Sequence, residues 1–399
     1  MNHNTNKVSI LKKTVKSFLI KSIRLFSYFC VIQNNKIVVD NFFGKGYGDN
    51  PKYIVSYLLK NYPNIDVVWL INGKANRDDF PQEVRLIKFG SLRSIYELST
   101  AHIWIDNIKN NYKGEKRKGQ FYLQTWHGGI GFKKVEKAAI DHLSADYIAA
   151  SRHDSEITDL MISDSDWVTN NYRKNFWYNG KILKSGFPRD DIFFSNVKSI
   201  KDKVKRFYSI SPDTEIILYA PTFRSYINIE EQTKVCSFNA KDIVRSFENK
   251  FGKKFVLIKR MHPNVASRIT IKDSKFEKNG SIYPDMQELL VSSFALITDF
   301  SSCAFDFMLT SNKIFLFAKD YDDYISHERE MEFSVKKDLP FSFANNEKEL
   351  RTNISSFDNT KAQEKINEFK DKVKLVDDGK ASERVSNALI EEINRNKNE

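Results

Sequence analysis

The amino-acid sequence predicts an α/β protein in which two Rossmann-like domains face each other. Predicted strands and helices alternate along the chain in two separate series, which is typical of parallel, doubly wound sheets. The chain has 399 residues, of which 41% are apolar, so it can bury two substantial cores. No repeat, low-complexity tract or proline-rich linker interrupts either series.

The first 36 residues carry seven basic residues and no acidic one, and apolar residues recur among them at near-helical spacing. We expect residues 1–35 to form a basic amphipathic helix that lies on an anionic membrane surface. An ordinary domain helix with a solvated basic face is the alternative. No apolar run reaches the roughly 20 residues that a transmembrane helix needs, and no small-residue cleavage site follows the apolar part.

The first α/β series is predicted to occupy residues 36–190. A turn at Gly186–Asp191 is expected to end this series, because helical geometry is disfavoured for the residue that precedes a proline. The predicted elements before that turn are strand Lys36–Asn41, helix Pro51–Asn61, strands Val67–Ile71 and Val84–Phe89, helix Leu92–Thr100, strands His102–Asp106, Phe121–Leu123 and Tyr147–Ala150, and a helical segment over Asp154–Met161.

The second series is predicted to occupy residues 191–399. Two such domains would hold ligands between them, at the carboxyl ends of their strands. The predicted elements are helix Lys198–Tyr208, strand Ile216–Ala220, helix Ala240–Lys250, strand Phe255–Arg260, helix Asp285–Ser292, strands Ala295–Thr298 and Ile314–Phe317, and a C-terminal helix, Ala381–Asn396, that completes this domain.

Composition limits the classes of partner and site. The chain has 63 basic and 51 acidic residues, a net charge of +12, which favours anionic partners such as nucleic acid, phospholipid headgroups, nucleotides or phosphate polymers. Three widely spaced cysteines outside any CxxC pair argue against disulfides or zinc and favour the cytoplasm. Neither a phosphate-binding GxxxxGK[ST] loop nor a GxSxG motif is present. The acidic run Asp320–Asp323 lacks further ligands at metal spacing, so we predict no metal.

A glycine-rich segment after strand Phe121–Leu123 is the strongest single signal of a site. It places His127 and Gly128 in a turn and Lys133 shortly after it. Glycines leave backbone N–H groups free to approach a phosphate closely, and a histidine beside a bound anion can serve as a base. A histidine that simply packs in a tight turn is the alternative.

Two strand ends in the second series carry further candidates. Thr222 and Arg224 follow strand Ile216–Ala220, and Arg224 could hold a phosphate in bidentate fashion. Lys259, Arg260 and His262 stand at the end of the next strand. One basic triplet alone would usually be solvated surface, whereas two strand ends of this kind in one domain favour a site.

Asp299, Ser301 and Ser302 lie between strand Ala295–Thr298 and the start of an apolar helix. Free N–H groups and the positive end of the helix would attract phosphate there, and the hydroxyls add donors. Simple capping of the helix by Asp299 or a serine explains the same pattern. The spacing alone leaves both interpretations open.

Five motifs occur along the chain in one order. They are Trp126-His127-Gly128, Gly186-Phe187-Pro188-Arg189-Asp190, Tyr219-Ala220-Pro221-Thr222-Phe223-Arg224, His262-Pro263 and Ile297-Thr298-Asp299-Phe300-Ser301-Ser302. Taken together, they resemble the CDP-glycerol glycerophosphotransferase family, the teichoic acid primases and polymerases. An early Gly44–Pro51 segment and a late Asp378–Arg384 segment also look like family motifs, so the resemblance covers about residues 36–395.

The resemblance implies a GT-B fold in which residues 36–190 present the acceptor and residues 191–399 hold a CDP-polyol. The two motif histidines of the family correspond to His127 and His262. Its nucleotide-diphosphate pocket corresponds to Arg224, Ser301 and Ser302, and Arg189 is a further substrate-binding candidate. The chain departs from the family at Phe300, where tyrosine is common, and at Gly129, where a threonine commonly follows Trp-His-Gly.

The expected reaction transfers glycerol phosphate from CDP-glycerol to a hydroxyl of a lipid-linked saccharide or polyol-phosphate acceptor. His127 would take the proton from that hydroxyl, and Arg224, His262 and the serine turn would stabilise the departing CMP. We expect teichoic acid or capsular polysaccharide synthesis by a peripheral enzyme at the cytoplasmic face of the membrane, with no cofactor and no nucleic-acid partner.

Other functions remain open from the sequence. CDP-ribitol could replace CDP-glycerol, and the enzyme could prime or polymerise. A GT-B glycosyltransferase that uses a nucleotide sugar would share the fold and the phosphate pocket. The charge and the N-terminal helix alone would also suit a non-catalytic protein that binds anionic polymers or membranes.

Overall fold

The computed structural model describes residues 22, 23, 25, 26, 29–73 and 75–398. Its first half contains a seven-stranded sheet with the order β3-β2-β1-β4-β5-β6-β7, in which every pairing is parallel. The strands are β1 (Gln33–Val39), β2 (Asp66–Ile71), β3 (Arg85–Lys88), β4 (Ala101–Asp106), β5 (Phe121–Gln124), β6 (Leu160–Ser163) and β7 (Lys181–Lys184), with helices α1 (Asp49–Asn61), α2 (Leu92–Thr100), α3 (Ala145–Ile157) and α4 (Asp166–Asn175) and 3₁₀ helices at Arg77–Asp79, Glu136–His142 and Pro188–Phe194.

A second parallel sheet, of six strands, follows in the order β10-β9-β8-β11-β12-β13. Its strands are β8 (Thr214–Ala220), β9 (Lys254–Lys259), β10 (Glu277–Asn279), β11 (Ala295–Thr298), β12 (Ile314–Phe317) and β13 (Ser342–Ala344). The helices from here to the end of the chain are α5 (Val197–Phe207), α6 (Ile229–Val235), α7 (Ala240–Phe251), α8 (Pro263–Ala266), α9 (Met286–Ser292), α10 (Cys303–Phe307), α11 (Tyr321–His327), α12 (Glu347–Ser355), α13 (Asn359–Val373) and α14 (Ala381–Asn398), with a 3₁₀ turn at Gly280–Ile282.

Central strands of both sheets are buried on both faces, which explains why they are continuous apolar runs. In β1, Ile37 and Val39 belong to one apolar cluster and Val38 to another. In β8, Leu218 and Ile217 likewise point into different clusters. Such runs are typical of parallel sheets. The prediction of two parallel α/β units is therefore confirmed.

Both sheets reverse their strand order at one central pair, β1 and β4 in the first and β8 and β11 in the second. In open α/β sheets, ligands bind at the carboxyl ends of the strands beside such a reversal. The candidate residues after β5, β8, β9 and β11 lie at or beside these positions.

The prediction was wrong between residues 144 and 163. The predicted strand Tyr147–Ala150 lies inside helix α3, and the predicted helix over Asp154–Met161 gives way to strand β6. The side chain of Ser144 accepts a hydrogen bond from the backbone N–H of Tyr147 at 3.2 Å, so it caps α3. Strand β6 was missed because its first two residues, Leu160 and Met161, were assigned to the predicted helix, and periodicity alone does not separate a short apolar strand from a buried helix segment.

The C-terminal helix was expected to complete the second unit, but it packs on the first. Helix α14 contacts α1, β1 and the 3₁₀ helix Pro188–Phe194. Its apolar face, with Val385, Leu389 and Ile393, is buried. Tyr62 after α1 donates a hydrogen bond to Asn387 at 3.1 Å. The chain therefore crosses back from the second unit to the first at its end.

Most of the predicted helix at residues 1–35 lies outside the described residues. Strand β1 begins at Gln33, three residues before the expected start of the first α/β series. In the part of the chain that the structure describes, no helix is long and apolar enough to cross a bilayer.

Candidate active site

The glycine-rich turn after β5 starts with a backbone conformation that is unusual for a large residue. Trp126 has a φ of 55°, in the left-handed region that disfavours side chains. Its N–H donates to the side-chain oxygen of Gln124 at 2.9 Å, and its carbonyl accepts from the amide of Asn50 at 3.2 Å. These two bonds hold the strained residue in place. The next residue, His127, is thereby fixed at the edge of the cleft.

Hydrogen bonding determines which nitrogen of His127 carries the proton. Nδ1 lies 2.8 Å from the backbone carbonyl of Asn107. A carbonyl can only accept, so Nδ1 is protonated and Nε2 is a free acceptor in the neutral ring. Burial lowers the pKa of His127, and the bond to Asn107 opposes that effect only in part. His127 is therefore a neutral imidazole with a basic Nε2 at the cavity wall.

His262 has the opposite arrangement. It follows β9 and caps α8, because its Nδ1 accepts the backbone N–H of Asn264 at 3.2 Å. The neutral ring therefore carries its proton on Nε2. Burial, together with the charges of Lys133 and Lys45, lowers the pKa of His262 to about 4. His262 is a neutral hydrogen-bond donor at neutral pH.

Ser301 and Ser302 form the turn between β11 and α10. The Oγ atom of Ser302 lies 3.9 Å from the position that a Cβ on Gly128 would take, so the two turns face each other across the cleft. The expected helix dipole contributes little because α10 has only five residues. The hydroxyl groups are what this turn offers to a phosphate.

A cavity of about 300 Å³ lies between the two units and collects most of the predicted site residues. Both catalytic candidates line it, although they come from different sheets. The predicted residues that line the cavity are His127, Gly128, Lys133, Thr222, His262, Ser301 and Ser302.

Arg224 is not placed as the sequence predicts. Its side chain is 1% exposed, and its Nε and Nη2 donate to the two oxygens of Asp320 at 2.9 and 2.8 Å. Its Nη1 donates to Asp299 and to the carbonyl of Thr222. Two carboxylates therefore occupy the guanidinium group, and Arg224 lies beneath the cavity without lining it.

Asp299 is likewise beneath the cavity and not in it. Its carboxylate accepts from the N–H and the hydroxyl of Thr222 at 2.9 and 2.8 Å and from the N–H of Phe300 at 2.6 Å. It therefore joins the loop after β8 to the turn after β11. No side chain makes a capping hydrogen bond at the start of α10, so Asp299 does not cap this helix.

Arg189 supports the glycine-rich turn from behind. It is 5% exposed, and its Nη1 donates to the carbonyl of His127 at 2.7 Å. Its Nη2 donates to Asp306 in the second unit at 3.0 Å. Arg189 thus forms a bridge between the two units and fixes the carbonyl of His127.

Lys259 and Arg260 do not line the cavity either. The Lys259 ammonium lies 5.7 Å from the centre of the Tyr219 ring, and Arg260 donates to the carbonyl of Gly280 at 3.0 Å. Both therefore stabilise the surroundings of β9.

Five further lining residues that carry side-chain hydrogen-bonding groups escaped the sequence analysis. Trp167, Asn171 and Tyr172 lie on α4, and Arg329 and Glu332 lie on a segment without regular structure after α11. That segment reaches the cavity because its backbone pairs with the end of the glycine-rich segment, through Lys134 N–H to the carbonyl of Glu330 at 2.8 Å and Glu332 N–H to the carbonyl of Phe132 at 2.7 Å. The sequence signal that could have revealed helix α4 is Ser165, which caps it.

The described residues contain no group of three or more His, Cys, Asp or Glu side chains arranged to bind a metal ion. The acidic run after β12 is used otherwise, because Asp320 pairs with Arg224.

Comparison with known proteins gives a family. A family model described as CDP-Glycerol:Poly(glycerophosphate) glycerophosphotransferase matches residues 22–391. The chain is similar to a solved variant of the wall teichoic acid polymerase TagF, with a TM-score of 0.84 at 26% identity over 100% of this chain and 99% of that one. The GT-B type expected from the resemblance is therefore confirmed.

Curated relatives differ in length. A teichoic acid glycerol-phosphate transferase of Staphylococcus aureus is 28% identical over 96% of this chain and 100% of its own length. A teichoic acid poly(glycerol phosphate) polymerase of Staphylococcus epidermidis is 27% identical over 91% of this chain, which spans about half (51%) of that relative. The site geometry, the fold and the family match agree, and the chain belongs to the CDP-glycerol:poly(glycerophosphate) glycerophosphotransferase family.

Proposed function

We propose that the chain transfers glycerol phosphate from CDP-glycerol to a hydroxyl group of an acceptor and releases CMP. One observation carries the proposal: an imidazole acceptor, Nε2 of His127, and an imidazole donor, Nε2–H of His262, line the same cavity from opposite units. The family description and the names of the relatives support the donor. One solved TagF variant was soaked with CDPG, which supports it further.

The reaction assigns one role to each histidine. His127 Nε2 takes the proton of the acceptor hydroxyl as its oxygen attacks the β-phosphorus of CDP-glycerol. The bond between that phosphorus and the oxygen of the CMP phosphate breaks, and CMP leaves with the electron pair. His262 Nε2–H donates a hydrogen bond to the phosphate oxygens, and their negative charge raises the pKa of His262 when the donor is bound.

Three other predicted residues supply phosphate contacts in this proposal. The hydroxyl of Ser302 faces the glycine-rich turn across the cleft, and Ser301 lines the same cavity. Lys133 lies beside the same cavity, and burial and the nearby Arg329 lower its pKa. A bound diphosphate would reverse that effect, because opposite charge favours the ammonium form. Arg224 and Arg189 act indirectly, by holding Thr222 and His127.

A donor panel tests the proposal. Purified protein is incubated with a lipid-linked saccharide acceptor and with CDP-glycerol, CDP-ribitol or a UDP-sugar, and the released nucleotide is measured. We expect CMP release from CDP-glycerol to exceed release from the other donors. UDP release with no CMP release would replace the proposal with glycosyl transfer, and no release from any donor would favour a binding protein.

CDP-ribitol is the second candidate donor. A teichoic acid poly(ribitol-phosphate) polymerase of Bacillus spizizenii is 26% identical over 90% of this chain, so the family likeness extends to proteins named for ribitol. Faster CMP release from CDP-ribitol than from CDP-glycerol would decide for this alternative.

The proposed acceptor is a lipid-linked saccharide or polyol phosphate at the cytoplasmic face of a membrane. The net charge of +12 and the exposed side chains of Leu25, Phe26, Phe29 and Val31 support a peripheral contact with anionic lipid. Sedimentation with vesicles that contain phosphatidylglycerol tests this, and equal sedimentation with neutral vesicles at low salt would contradict the electrostatic part. The names of the relatives refer to teichoic acids, and a capsular product stays a prediction.

A further inference from the structure

The cavity has two chemically different groups of lining residues. The first supplies hydroxyls and cations, with Ser301, Ser302 and Lys133, and suits phosphate. The second consists of Trp167 and Asn171 on α4 and Glu332 on the segment after α11. Glu332 is unsuited to phosphate, because a carboxylate repels it, and neither Trp167 nor Asn171 carries a cation.

Glu332 is held at the cavity by its backbone. Its N–H donates to the carbonyl of Phe132 at 2.7 Å, which ties it to the glycine-rich segment. Its Oε1 accepts a hydrogen bond from the side-chain amide of Asn171 at 3.3 Å. The neighbouring cation, Lys134, pairs with Glu330 instead. The carboxylate of Glu332 is thus positioned without being neutralised by Lys134.

Trp167 adds a flat apolar surface next to this polar pair. Its ring stacks on Phe333, with 5.2 Å between the ring centres and 30° between the planes. A rigid indole, a carboxylate and an amide together can contact C–H groups and hydroxyl groups of one molecule. Neutral polyhydroxylated compounds, such as polyols and saccharides, have that combination of groups.

We propose that Trp167, Asn171 and Glu332 form the subsite that binds the hydroxyl-bearing end of the acceptor, a polyol or saccharide. The proposal rests on the proposed function, because it needs a phosphate donor on the other group of residues. The subsite shares the cavity with His127, whose Nε2 must reach an acceptor hydroxyl. Glu332 accepts hydrogen bonds from neighbouring hydroxyls of the same acceptor and so orients the one that reacts.

Two pairs of variants test the subsite. Glu332→Ala is compared with Glu330→Ala, which removes a carboxylate from the same segment but one that pairs with Lys134 and does not line the cavity. Asn171→Ala is the second, independent variant. Kinetics are measured with CDP-glycerol and a short-chain analogue of a lipid-linked saccharide that ends in glycerol phosphate. Calorimetry gives the Kd for CDP-glycerol, and thermal melts check folding.

We expect Glu332→Ala to raise the KM for the acceptor by roughly tenfold to hundredfold, the cost of losing a hydrogen bond to a charged group. Asn171→Ala raises it in the same direction, while the Kd for CDP-glycerol stays within about twofold in both and Glu330→Ala changes neither quantity. An unchanged acceptor KM in both variants, or a weakened Kd for CDP-glycerol, overturns the subsite. A wild-type protein that neither binds nor turns over CDP-glycerol removes the proposed function, and the subsite with it.

Discussion

At the scale of single residues, the two cavity histidines differ in the hydrogen bond that each Nδ1 makes. A carbonyl acceptor forces the proton of His127 onto Nδ1, and a backbone donor forces that of His262 onto Nε2. No sequence pattern contains this information, because the partners are set by the turn and the helix cap. The sequence analysis named His127 as the base, but it could not show the tautomer that leaves Nε2 of His127 free to accept a proton.

The pH dependence of the rate tests the state of His127. Burial lowers its pKa below the usual 6.5, so Nε2 stays unprotonated at pH values where an exposed histidine would be charged. We expect kcat/KM for CDP-glycerol to fall as the pH decreases, with a midpoint below 6.5, since kcat/KM reports the free enzyme. An acid limb centred above pH 6.5 would contradict this assignment.

Two replacements of His262 separate its cap from its cavity donor. Asparagine can keep an oxygen near the Nδ1 position and so the cap of α8, but it loses the donor. Glutamine can place an amide N–H near the Nε2 position. We expect His262→Asn to lower kcat by about 10²- to 10³-fold with little change in Tm, and His262→Gln to retain more activity. Equal activity in the two variants would argue against a donor role.

Arg224 has partners that the sequence did not reveal. A strand-end arginine predicts a phosphate contact, but its partners Asp299 and Asp320 lie 75 and 96 residues further along the chain. The pattern around Arg224 carries no trace of them. A buried arginine needs paired carboxylates, and those partners become visible only in the folded chain.

At the scale of elements, the glycine-rich turn depends on close packing at one glycine. A Cβ on Gly129 would lie 2.2 Å from a carboxylate oxygen of Asp164 and 2.6 Å from the ring of Phe187, and both side chains are buried. A Cβ on Gly131 would meet nothing within 4 Å. The surroundings of position 129 therefore leave room for glycine but not for the threonine that is common in the family.

Replacement by alanine should destabilise the protein at Gly129 but not at Gly131. We expect Gly129→Ala to lower the free energy of unfolding by about 1–3 kcal/mol and to reduce activity, because the turn that holds His127 must shift. Gly131→Ala should stay within about 0.5 kcal/mol of wild type. Urea unfolding and CMP release measure both effects. Similar losses in the two variants would mean that the contact with Asp164 does not limit the turn.

Two fully buried strands of the second sheet were among the elements that the sequence predicted best. The bounds of β11 and β12 match the prediction because both are fully buried apolar runs. Strand β7 was missed because it carries lysines at both ends and has no fully buried residue. The first part of helix α3 was predicted as strand Tyr147–Ala150 because it contains a short apolar run, and the helix cap at Ser144 was not recognised.

At the scale of the whole molecule, the last helix belongs to the first unit although it ends the second series. Its amphipathic pattern predicts a helix but not which of two apolar surfaces it covers. The cavity depends equally on long-range placement, since the segment with Arg329 and Glu332 pairs with the glycine-rich segment about 200 residues earlier. The sequence alone could not predict that wall of the site.

Tryptophan fluorescence can test where α14 is docked. All five tryptophans lie between residues 69 and 177, so they belong to the first unit, and of these Trp167 also contacts Phe333 of the second. We expect Leu389→Ala, which empties a fully buried position on α14, to destabilise the fluorescence-detected transition by about 2–5 kcal/mol. Ile282→Ala, at a position 62% exposed, serves as the control and should change little. A fluorescence transition unaffected by Leu389→Ala would contradict docking on the first unit.

The most direct test of the whole account is glycerol phosphate transfer by His127→Asn. The asparagine amide can still donate to the carbonyl of Asn107, but no group replaces Nε2. We expect the variant to bind CDP-glycerol with a Kd within a few-fold of wild type and to transfer glycerol phosphate about 10²- to 10⁴-fold more slowly. Transfer at more than a tenth of the wild-type rate would contradict the assignment of His127 as the base.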